Sequence, residues 1–524
     1  MQYRKEFSID KKYTKGIEFI KNKNYIFAEQ IFLEIIDNFP NHTQSLFLLG
    51  ISLYEQKKIN VALKYFNKVA SLKKNFIDAH YYIGKIYLNK REYNLAKKIF
   101  SKLVEKNPEN LNYLVSLVIA QINLKEFKDS KILLEKKKKL FKVDEVYQNL
   151  MGYLFLNSGN NNLSLNHYLN SYNKNKNNIN TLINLANVYL RNSDYINSKI
   201  FFEKALNLNP KNPKTLYSYS YFQLYTGEIY EGLSNYEYRK IINSYDQSLL
   251  NNHNEWKGEN LNKKTLLVLC EQGLGDIIQF SRYVFYLQKK YDVNIIFKVE
   301  KKLFHIFKNK NLDLRDGSGE LPVFDFFIFL LSMPKIIYSK EKNFLKNYNF
   351  IYISKNKLRK WKQKLKNLKG KKIGISWQGD HNFQRDFMRS INLKILTPLI
   401  KNKHFNFINL QKGFAVHQIK KLKLENYIVD FSSEMDNKGN AFEDTISIIK
   451  NLDIILTTDT AIAHIAGTLE METWLLLHYN PEWRWQIQNE NFIWYPKLKI
   501  FRQKTRDDWK SVITDINENL KLNL

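Results

Sequence analysis

The 524-residue chain is poor in the residues that staple, break or loosen a fold. It has one cysteine, Cys270. That excludes an internal disulfide framework and any zinc site built on a cysteine cluster, and it fits a reducing compartment. With 9 Pro and 18 Gly the chain is neither collagen-like nor a flexible linker. Long apolar runs are missing as well. The most apolar one, Val323–Met333, contains Asp325 and falls well short of the roughly 20 residues that span a bilayer, so a buried strand is expected there. The start, MQYRKEFSIDKKYTKG, has no apolar core to act as a signal peptide. These absences predict a soluble cytoplasmic protein with at most peripheral membrane contact. Arginine is scarce too, at 12 of the 82 basic residues, so the net charge of +31 is carried by lysine. Base edges and phosphate forks favour arginine. The charge therefore reads as a general drift in residue usage, and no specific nucleic-acid partner is expected. What the chain does have is apolar mass. It is 44% hydrophobic and 15% aromatic, which excludes wholesale disorder and at this length predicts about two to four domains.

The first half repeats. Small residues recur at Gly16, Gly50, Gly84, Gly152, Ala186 and Ser220, in steps of 34 residues or twice that, with Val118 in the remaining place. Twelve residues later come Ala28, Ala62, Ala96, Ser130, Ser164, Ser198 and Gly232. Four further on come Phe32, Phe66, Phe100, Leu134, Tyr168, Phe202 and Tyr236. Pro40, Pro108 and Pro210 close three of the units. The physical reading is a pair of amphipathic helices per unit. Small residues sit where the two helices approach, a bulky residue fills the gap to the next unit, and proline cannot continue the second helix. A period of 34 with this pattern resembles the tetratricopeptide repeat. It implies an α-solenoid of about seven repeats over residues 1–250. Such solenoids bind proteins or peptides in a groove; the plainer alternative is a scaffold that spaces or dimerises the second half.

From Leu261 the pattern changes. Short apolar runs alternate with helical stretches: Thr265–Cys270, Asn294–Val299, Phe324–Leu331, Lys371–Trp377, Phe405–Leu410, Tyr427–Asp430, Asp453–Thr458 and Thr473–His478. This alternation predicts parallel sheets of the doubly wound kind. A basic helix, Lys355–Lys372, divides the region. Two Rossmann-like halves follow, 261–368 and 369–524, the second closed by a helix over Asp507–Leu522. Ligands of such halves bind at the carboxyl ends of the strands.

Four loops fall at those ends. The first is Glu271-Gln272-Gly273-Leu274-Gly275-Asp276. Its glycines permit a tight turn beside a helix N-terminus that favours an anion, and its spacing is not that of a dinucleotide fingerprint. Asp276 reads equally as a helix cap or as a general base. The second, Gln378–Ser390 after Trp377, carries Asp380, His381, Arg385 and Arg389 and reads as an anion clamp or a solvated loop. The third is Gln411-Lys412-Gly413, placed to touch a ligand's polar edge. The fourth, Thr457-Thr458-Asp459-Thr460-Ala461-Ile462-Ala463-His464, ends a strand and opens a helix. Its free N–H groups and hydroxyls suit a diphosphate, and His464 lies on the face of Thr460; the alternative is a capped helix with a core histidine. Two aromatic clusters follow, Glu482-Trp483-Arg484-Trp485 and Trp494-Tyr495-Pro496. They suit base or sugar stacking, or they plug the core between the halves.

Taken in order, EQGLGD, SWQG with its arginines, NLQKG, TTDTAIAH and HYNPEWRW resemble the tetratricopeptide-repeat glycosyltransferases related to the heptosyltransferases (glycosyltransferase family nine), which have the GT-B fold. The resemblance implies metal-independent, inverting transfer of a sugar from a nucleotide-diphosphate donor to a hydroxyl on a protein or glycan acceptor. No cofactor is implied beyond the nucleotide sugar. Asp276 becomes the candidate base. Asp459, Thr460, Ala461, His464, Arg385 and Arg389 become candidates for holding the donor diphosphate. Gln272, Gly273, Gly275, Trp377, Gln378, Gln411 and Lys412 line the cleft. Where lipopolysaccharide heptosyltransferases often carry an acidic residue for the ribose, this chain reads Gln411-Lys412, which argues against an ADP-heptose donor. The alternatives are a non-catalytic repeat scaffold with a degenerate transferase half, and a protein O-linked N-acetylglucosamine transferase.

Overall fold

The computed structural model describes residues 2–141, 144–243, 245, 247–308, 311–320, 322–338, 349–381, 383, 386–487 and 494–522. The chain divides into two compact units. One is Met1–Tyr189 with Asp194–Leu208 and Asn243–Gln247; the other is Leu190–Ser193, Asn209–Ile242 and Ser248–Leu524.

Among the described residues, seven helical hairpins follow one another. Their helices are Gln2–Lys21 and Tyr25–Asn38, Thr43–Glu55 and Ile59–Leu72, Ile77–Asn89 and Tyr93–Lys106, Leu111–Asn123 and Phe127–Lys136, Asp144–Asn157 and Asn161–Lys174, Ile179–Arg191 and Tyr195–Leu208, and Pro213–Thr226 and Ile229–Tyr236. The period is enforced by packing within each hairpin. A β-carbon on Gly50 would lie 2.6 Å from the ring of Phe66, and one on Gly84 or Gly152 would lie 2.7 Å from Phe100 or Tyr168. At these three positions the aromatic occupies the space a side chain would need, and glycine lets the helices approach so closely; the small Ala186 and Ser220 hold the same place before Phe202 and Tyr236. The one bulky residue in that place explains itself. Where Val118 replaces glycine, Leu134 replaces the aromatic, and both are fully buried in one cluster. Volume moves from one helix to the other, and total volume is what a core conserves. At two of the three serines in the second small position the hydroxyl bridges the helices: Ser164 donates to the Gly152 carbonyl (2.8 Å) and Ser198 to that of Ala186 (2.9 Å), whereas Ser130 donates to Glu126 O (2.9 Å) at the start of its own helix.

The turn inside each hairpin carries a signal the composition hid. Lys23, Lys57, Arg91, Lys125, Gly159, Ser193 and Gly227 are spaced by 34 residues, and all have positive φ, from 58° to 96°. A left-handed residue ends the first helix in the manner glycine usually serves. In the second hairpin Lys58 N–H reaches back to Leu53 O (2.9 Å) and Lys57 N–H to Tyr54 O (3.0 Å). Five of the seven positions hold a side chain there, which is why scarce glycine did not betray the turns.

The seventh hairpin falls in the second unit together with two parallel sheets. The first sheet is built from β1 (Lys264–Leu269), β2 (Val293–Lys298), β3 (Asp313–Arg315) and β4 (Phe326–Phe329), in the order β3-β2-β1-β4. The second is built from β5 (Lys371–Ser376), β6 (Phe405–Asn409), β7 (Ile428–Val429), β8 (Ile454–Thr458), β9 (Thr473–Leu477) and β10 (Leu498–Arg502), in the order β10-β9-β8-β5-β6-β7. Strand order reverses between β1 and β4 in one sheet and between β5 and β8 in the other, and such points open crevices at the strand ends. Two strands were not anticipated. β3 is three residues long, and β10 reads Leu-Lys-Ile-Phe-Arg, with neither a sustained apolar run nor strict alternation. Three segments differ from expectation. The helix expected over Lys355–Lys372 ends at Lys364, because Lys371 and Lys372 begin β5. The apolar run Val323–Met333 supplies β4 only over Phe326–Phe329, with Val323 95% exposed. The closing helix is Trp509–Lys521, capped by Asp508, whose carboxylate accepts from Ser511 N–H at 3.0 Å.

Candidate functional site

The loops after β1 and β8 meet. Gly273 caps the helix Leu274–Phe280, and Asp276 folds back so that its carboxylate accepts the Gly273 N–H at 3.1 Å. The helix Ala461–Thr468 starts from Thr460, whose hydroxyl lies 3.3 Å from that of Thr457. At Gly275 the two helices touch: a β-carbon there would lie 3.1 Å from the His464 ring and 3.5 Å from Ala461 Cα. Gln272 sits at φ +64°, and its amide donates to the Tyr236 hydroxyl at 2.6 Å. The first loop is thereby held from the seventh hairpin.

Arg484 occupies the junction. It is 8% exposed. Its Nη2 donates to Asp276, its Nη1 to Glu482 (3.0 Å) and its Nε to Gln279 Oε1 (3.1 Å). Its guanidinium lies 4.6 Å from the Trp483 ring centre. Burial works against the charge, but Asp276 and Glu482 outweigh it and raise the pKa above its ordinary value. A second arginine crosses in the opposite direction. Arg282, on the helix Arg282–Lys290, donates to the Trp494 carbonyl at 2.7 Å and lies 4.7 Å from the Tyr495 ring centre. Each sheet's half therefore sends a buried arginine into the other.

Of the expected diphosphate group, Asp459 and His464 are both buried. Burial, aided by the Glu482 charge, pushes the Asp459 carboxyl up to about 6, while Trp485, Arg484 and Arg389 oppose it. His464 shares a hydrogen bond with the Tyr495 hydroxyl (Nδ1 to Oη 2.9 Å), and its ring stacks on Trp485 at 5.5 Å. Burial, then the charges of Arg484 and Arg282, hold its pKa well below the usual histidine value. The ring is thus a neutral member of an aromatic cluster. Asp276 is realised as a cap and as the partner of an arginine. The aromatic segments fill the space between the halves, with Trp485 and Tyr495 both buried.

The loops after β5 and β6 form a second group. Gln411 does not present its amide to a cleft. The side-chain oxygen accepts from Trp377 N–H (3.1 Å) and Gln378 N–H (2.9 Å), and Nε2 donates to the Gln378 carbonyl (2.9 Å). A carboxamide standing in for a peptide unit locks the end of β5. Lys412 is turned onto the Met435 carbonyl and Asn437 Oδ1 (2.6 Å). Gln378 bridges Asp386 (3.5 Å) and Gln418 (3.3 Å). Arg389 pairs with the buried Asp386 (3.2 Å), stacks on Phe383 (4.5 Å) and bears on the charge of Asp459. Asp380 and His381 lie exposed, 3.9 Å apart. Trp377 is fully buried, and its indole N–H has no hydrogen-bond partner among the described residues. Arg385 lies outside the described residues.

Sequence reasoning missed the residues that tie these loops together. Glu271, buried just after β1, accepts from Arg239 (Nη2, 2.6 Å) and from Leu331 N–H (3.1 Å). Arg239 also donates to Glu237 (2.7 Å) and Ser332 (2.8 Å). Burial opposes the Arg239 charge, yet Glu271 and Glu237 raise its pKa above the ordinary value. The available signal was rarity: an arginine is unusual in this chain, and among the described residues Arg239, Arg389 and Arg484 are each fixed by a carboxylate of a strand-end loop.

Comparison with known proteins identifies the repeats. Family models described as tetratricopeptide repeat match residues 44–72 and 78–110 and, in a second model, 179–212. The N-terminal hairpins are therefore tetratricopeptide repeats, joined to an α/β region of two parallel sheets. Protein FlbA of Caulobacter vibrioides is 20% identical over 276 residues. The match covers 49% of this chain, which spans about half (46%) of that relative's length. Among solved structures, a tetratricopeptide repeat protein of Parabacteroides merdae is 15% identical, with 47% of this chain and 96% of that one covered at a TM-score of 0.41. The APC/C hetero-tetramer Cut9-Hcn1 is 18% identical, with 43% and 44% covered at 0.35. YrrB, described as a repeat protein with an unusual peptide-binding site, is 19% identical, with 36% and 97% covered at 0.26.

Proposed function

We propose that the second unit is a glycosyltransferase of the GT-B type that moves a sugar from a nucleotide-diphosphate donor to a hydroxyl acceptor, and that the repeats recruit the acceptor or a protein partner. One observation carries this reading: the loops after β1 and β8 bring Asp276 and the Asp459–His464 segment together around Arg484. Both loops sit at points of strand reversal, where α/β sheets bind ligands. In the proposed step the acceptor oxygen bonds to the anomeric carbon as the bond from that carbon to the donor's phosphate oxygen breaks. The acceptor proton passes to Asp276, and the nucleoside diphosphate leaves with its negative charge. Helix N–H groups at Thr460–Ala461 and a guanidinium stabilise that charge, the kind of preorganised electrostatics that supplies most of an enzyme's advantage.

A second reading is favoured by a specific observation. Asp276 is engaged by both a cap and an arginine, and His464 is buried and hydrogen-bonded, as suits a scaffold whose transferase half has lost its activity. One experiment separates the two. Purified protein is incubated with a panel of nucleotide sugars, and sugar transfer is followed by mass spectrometry alongside a thermal-shift screen with nucleotides. Transfer by the wild type, its loss in Asp276→Asn and retained nucleotide binding support the enzyme. Transfer that survives Asp276→Asn removes Asp276 as the base. Absence of both transfer and nucleotide binding leaves the scaffold.

A further inference from the structure

We propose that Arg484 is an exchangeable cation: it neutralises Asp276 while the site is empty and moves to the donor's diphosphate when one enters, releasing Asp276 for its role as base. The inference rests on the transferase reading above and deepens it. It begins from a mismatch. The arginines expected to clamp an anion were Arg385 and Arg389, and Arg389 is paired with Asp386 and stacked on Phe383. Arg484 instead sits where the candidate residues converge, on Asp276, on Glu482 and beside Asp459 and His464.

Charge makes the exchange reasonable. Two carboxylates, Asp276 and Glu482, hold this one buried guanidinium, and Asp459 is a third acid nearby. An anion arriving beside Asp276 meets a like charge there unless Arg484 turns to it. A guanidinium offers forked N–H donors that match phosphate oxygens. The surroundings also want an acceptor. Gln279, fully buried, accepts from Arg484 through its oxygen, while its Nε2 has no hydrogen-bond partner among the described residues. Trp483 Nε1, on the ring beneath the guanidinium, and Thr458 Oγ1, at the end of β8, are likewise buried without one among the described residues. Idle buried donors are costly, and an ionised phosphate offers acceptors only. The ordering follows. Asp276 is masked until an anion has taken Arg484, so the donor binds before the acceptor.

The test is calorimetric binding by the full-length protein of inorganic pyrophosphate and of ADP, UDP, GDP and dTDP. Asp276→Asn removes the competitor for Arg484, so affinity rises about tenfold, the effect of losing one charge-assisted contact. Arg484→Gln lowers affinity by about tenfold or more on the same scale, and the double variant behaves as Arg484→Gln. A residue needed only for folding would not tighten anything when its partner is removed, and Asp276→Asn together with Arg484→Lys keeps the test open if Arg484→Gln does not fold. Unchanged or weaker binding in Asp276→Asn overturns the exchange, as does wild-type affinity in Arg484→Gln. Pyrophosphate that follows the expected pattern while no nucleotide binds upholds the exchange and overturns the nucleotide donor. A nucleotide that binds indifferently to both substitutions overturns the exchange and leaves the transferase reading standing. Binding of none of the probes overturns both.

Discussion

The two units solve the problem of bringing helices together in opposite ways. In the repeats the partners are close in sequence: Gly50 and Phe66, Gly84 and Phe100, and Gly152 and Tyr168 are each 16 residues apart and apolar at the contact. In the α/β unit the decisive contacts are distant and are made by buried arginines. Arg484 reaches Asp276 across 208 residues, and Arg282 reaches Trp494 across 212. The difference teaches what each contact can tolerate. A short-range apolar contact repeats, so a change in one residue can be met by a change in its partner, as Val118 and Leu134 show. A buried ion pair is unique, and losing one member strands the other.

That contrast yields expectations of decreasing size. Arg239→Gln leaves the buried Glu271 side chain without its cation, while Glu237 keeps Lys240, and removing one partner of a buried pair costs about 3–5 kcal/mol. Chemical denaturation of the full chain should show it in the transition that the second unit contributes; a loss under about 1 kcal/mol would put the pair among surface ion pairs and break the comparison. In the repeats, Gly50→Val forces a side chain into the Phe66 ring, and overpacking of this kind costs about 1–3 kcal/mol. Adding Phe66→Leu copies the Val118–Leu134 arrangement and should recover part of that loss. If the double variant is no better than Gly50→Val, the volume exchange is not what sets the period.

The third expectation concerns pH. His464 has its pKa depressed in the folded protein by burial and by Arg484 and Arg282, so the unfolded chain binds a proton that the native state refuses. Its contribution is present above the ordinary histidine pKa of about 6.5 and is lost as pH falls below it, at about 1.4 kcal/mol per pH unit. Asp459, raised to about 6, works in the opposite sense, because its native form takes up a proton before the unfolded chain does. The measurement is therefore the difference in unfolding free energy between wild type and His464→Phe from pH 7.5 to 5. It should shrink as pH falls, and a constant difference would show a histidine that titrates freely. The smallest effect lies in the hairpin turns. Lys57→Gly relieves a left-handed backbone that disfavours a side chain but gives back some of the gain as freedom in the unfolded chain, for a net of about 0.5 kcal/mol. Equal destabilisation by Lys57→Gly and Lys57→Ala would show that the lysine side chain, and not the backbone, matters there.

Legibility divides along the same line. The repeat period, its exception at Val118 and eight of the ten strands could be read from residue order, because they depend on neighbours within a few tens of residues. The turn residues could not, since lysine, arginine and serine take the place of glycine at φ values of 58° to 65°. At the candidate site the loops after β1, β5, β6 and β8 were located correctly at strand ends, but their side chains were assigned by type. Gln411 proved to close a turn, Lys412 to bind a neighbouring loop, and the Trp-Arg-Trp segment to matter through its arginine as well as its rings. Nothing in the spacing of Arg484 from Asp276 announces a pair.

By itself, then, the amino-acid order determined the helical repeats, the switch to parallel α/β structure and the places where loops could carry chemistry. Those follow from periodicity, and periodicity is local. Only the tertiary structure decided that the seventh hairpin is grouped with the sheets, that His464 is a neutral stacked ring, and that Arg484 rather than Arg389 stands against Asp276. Buried charge needs a partner wherever the fold supplies one, and the chain distance to that partner is free to take any value.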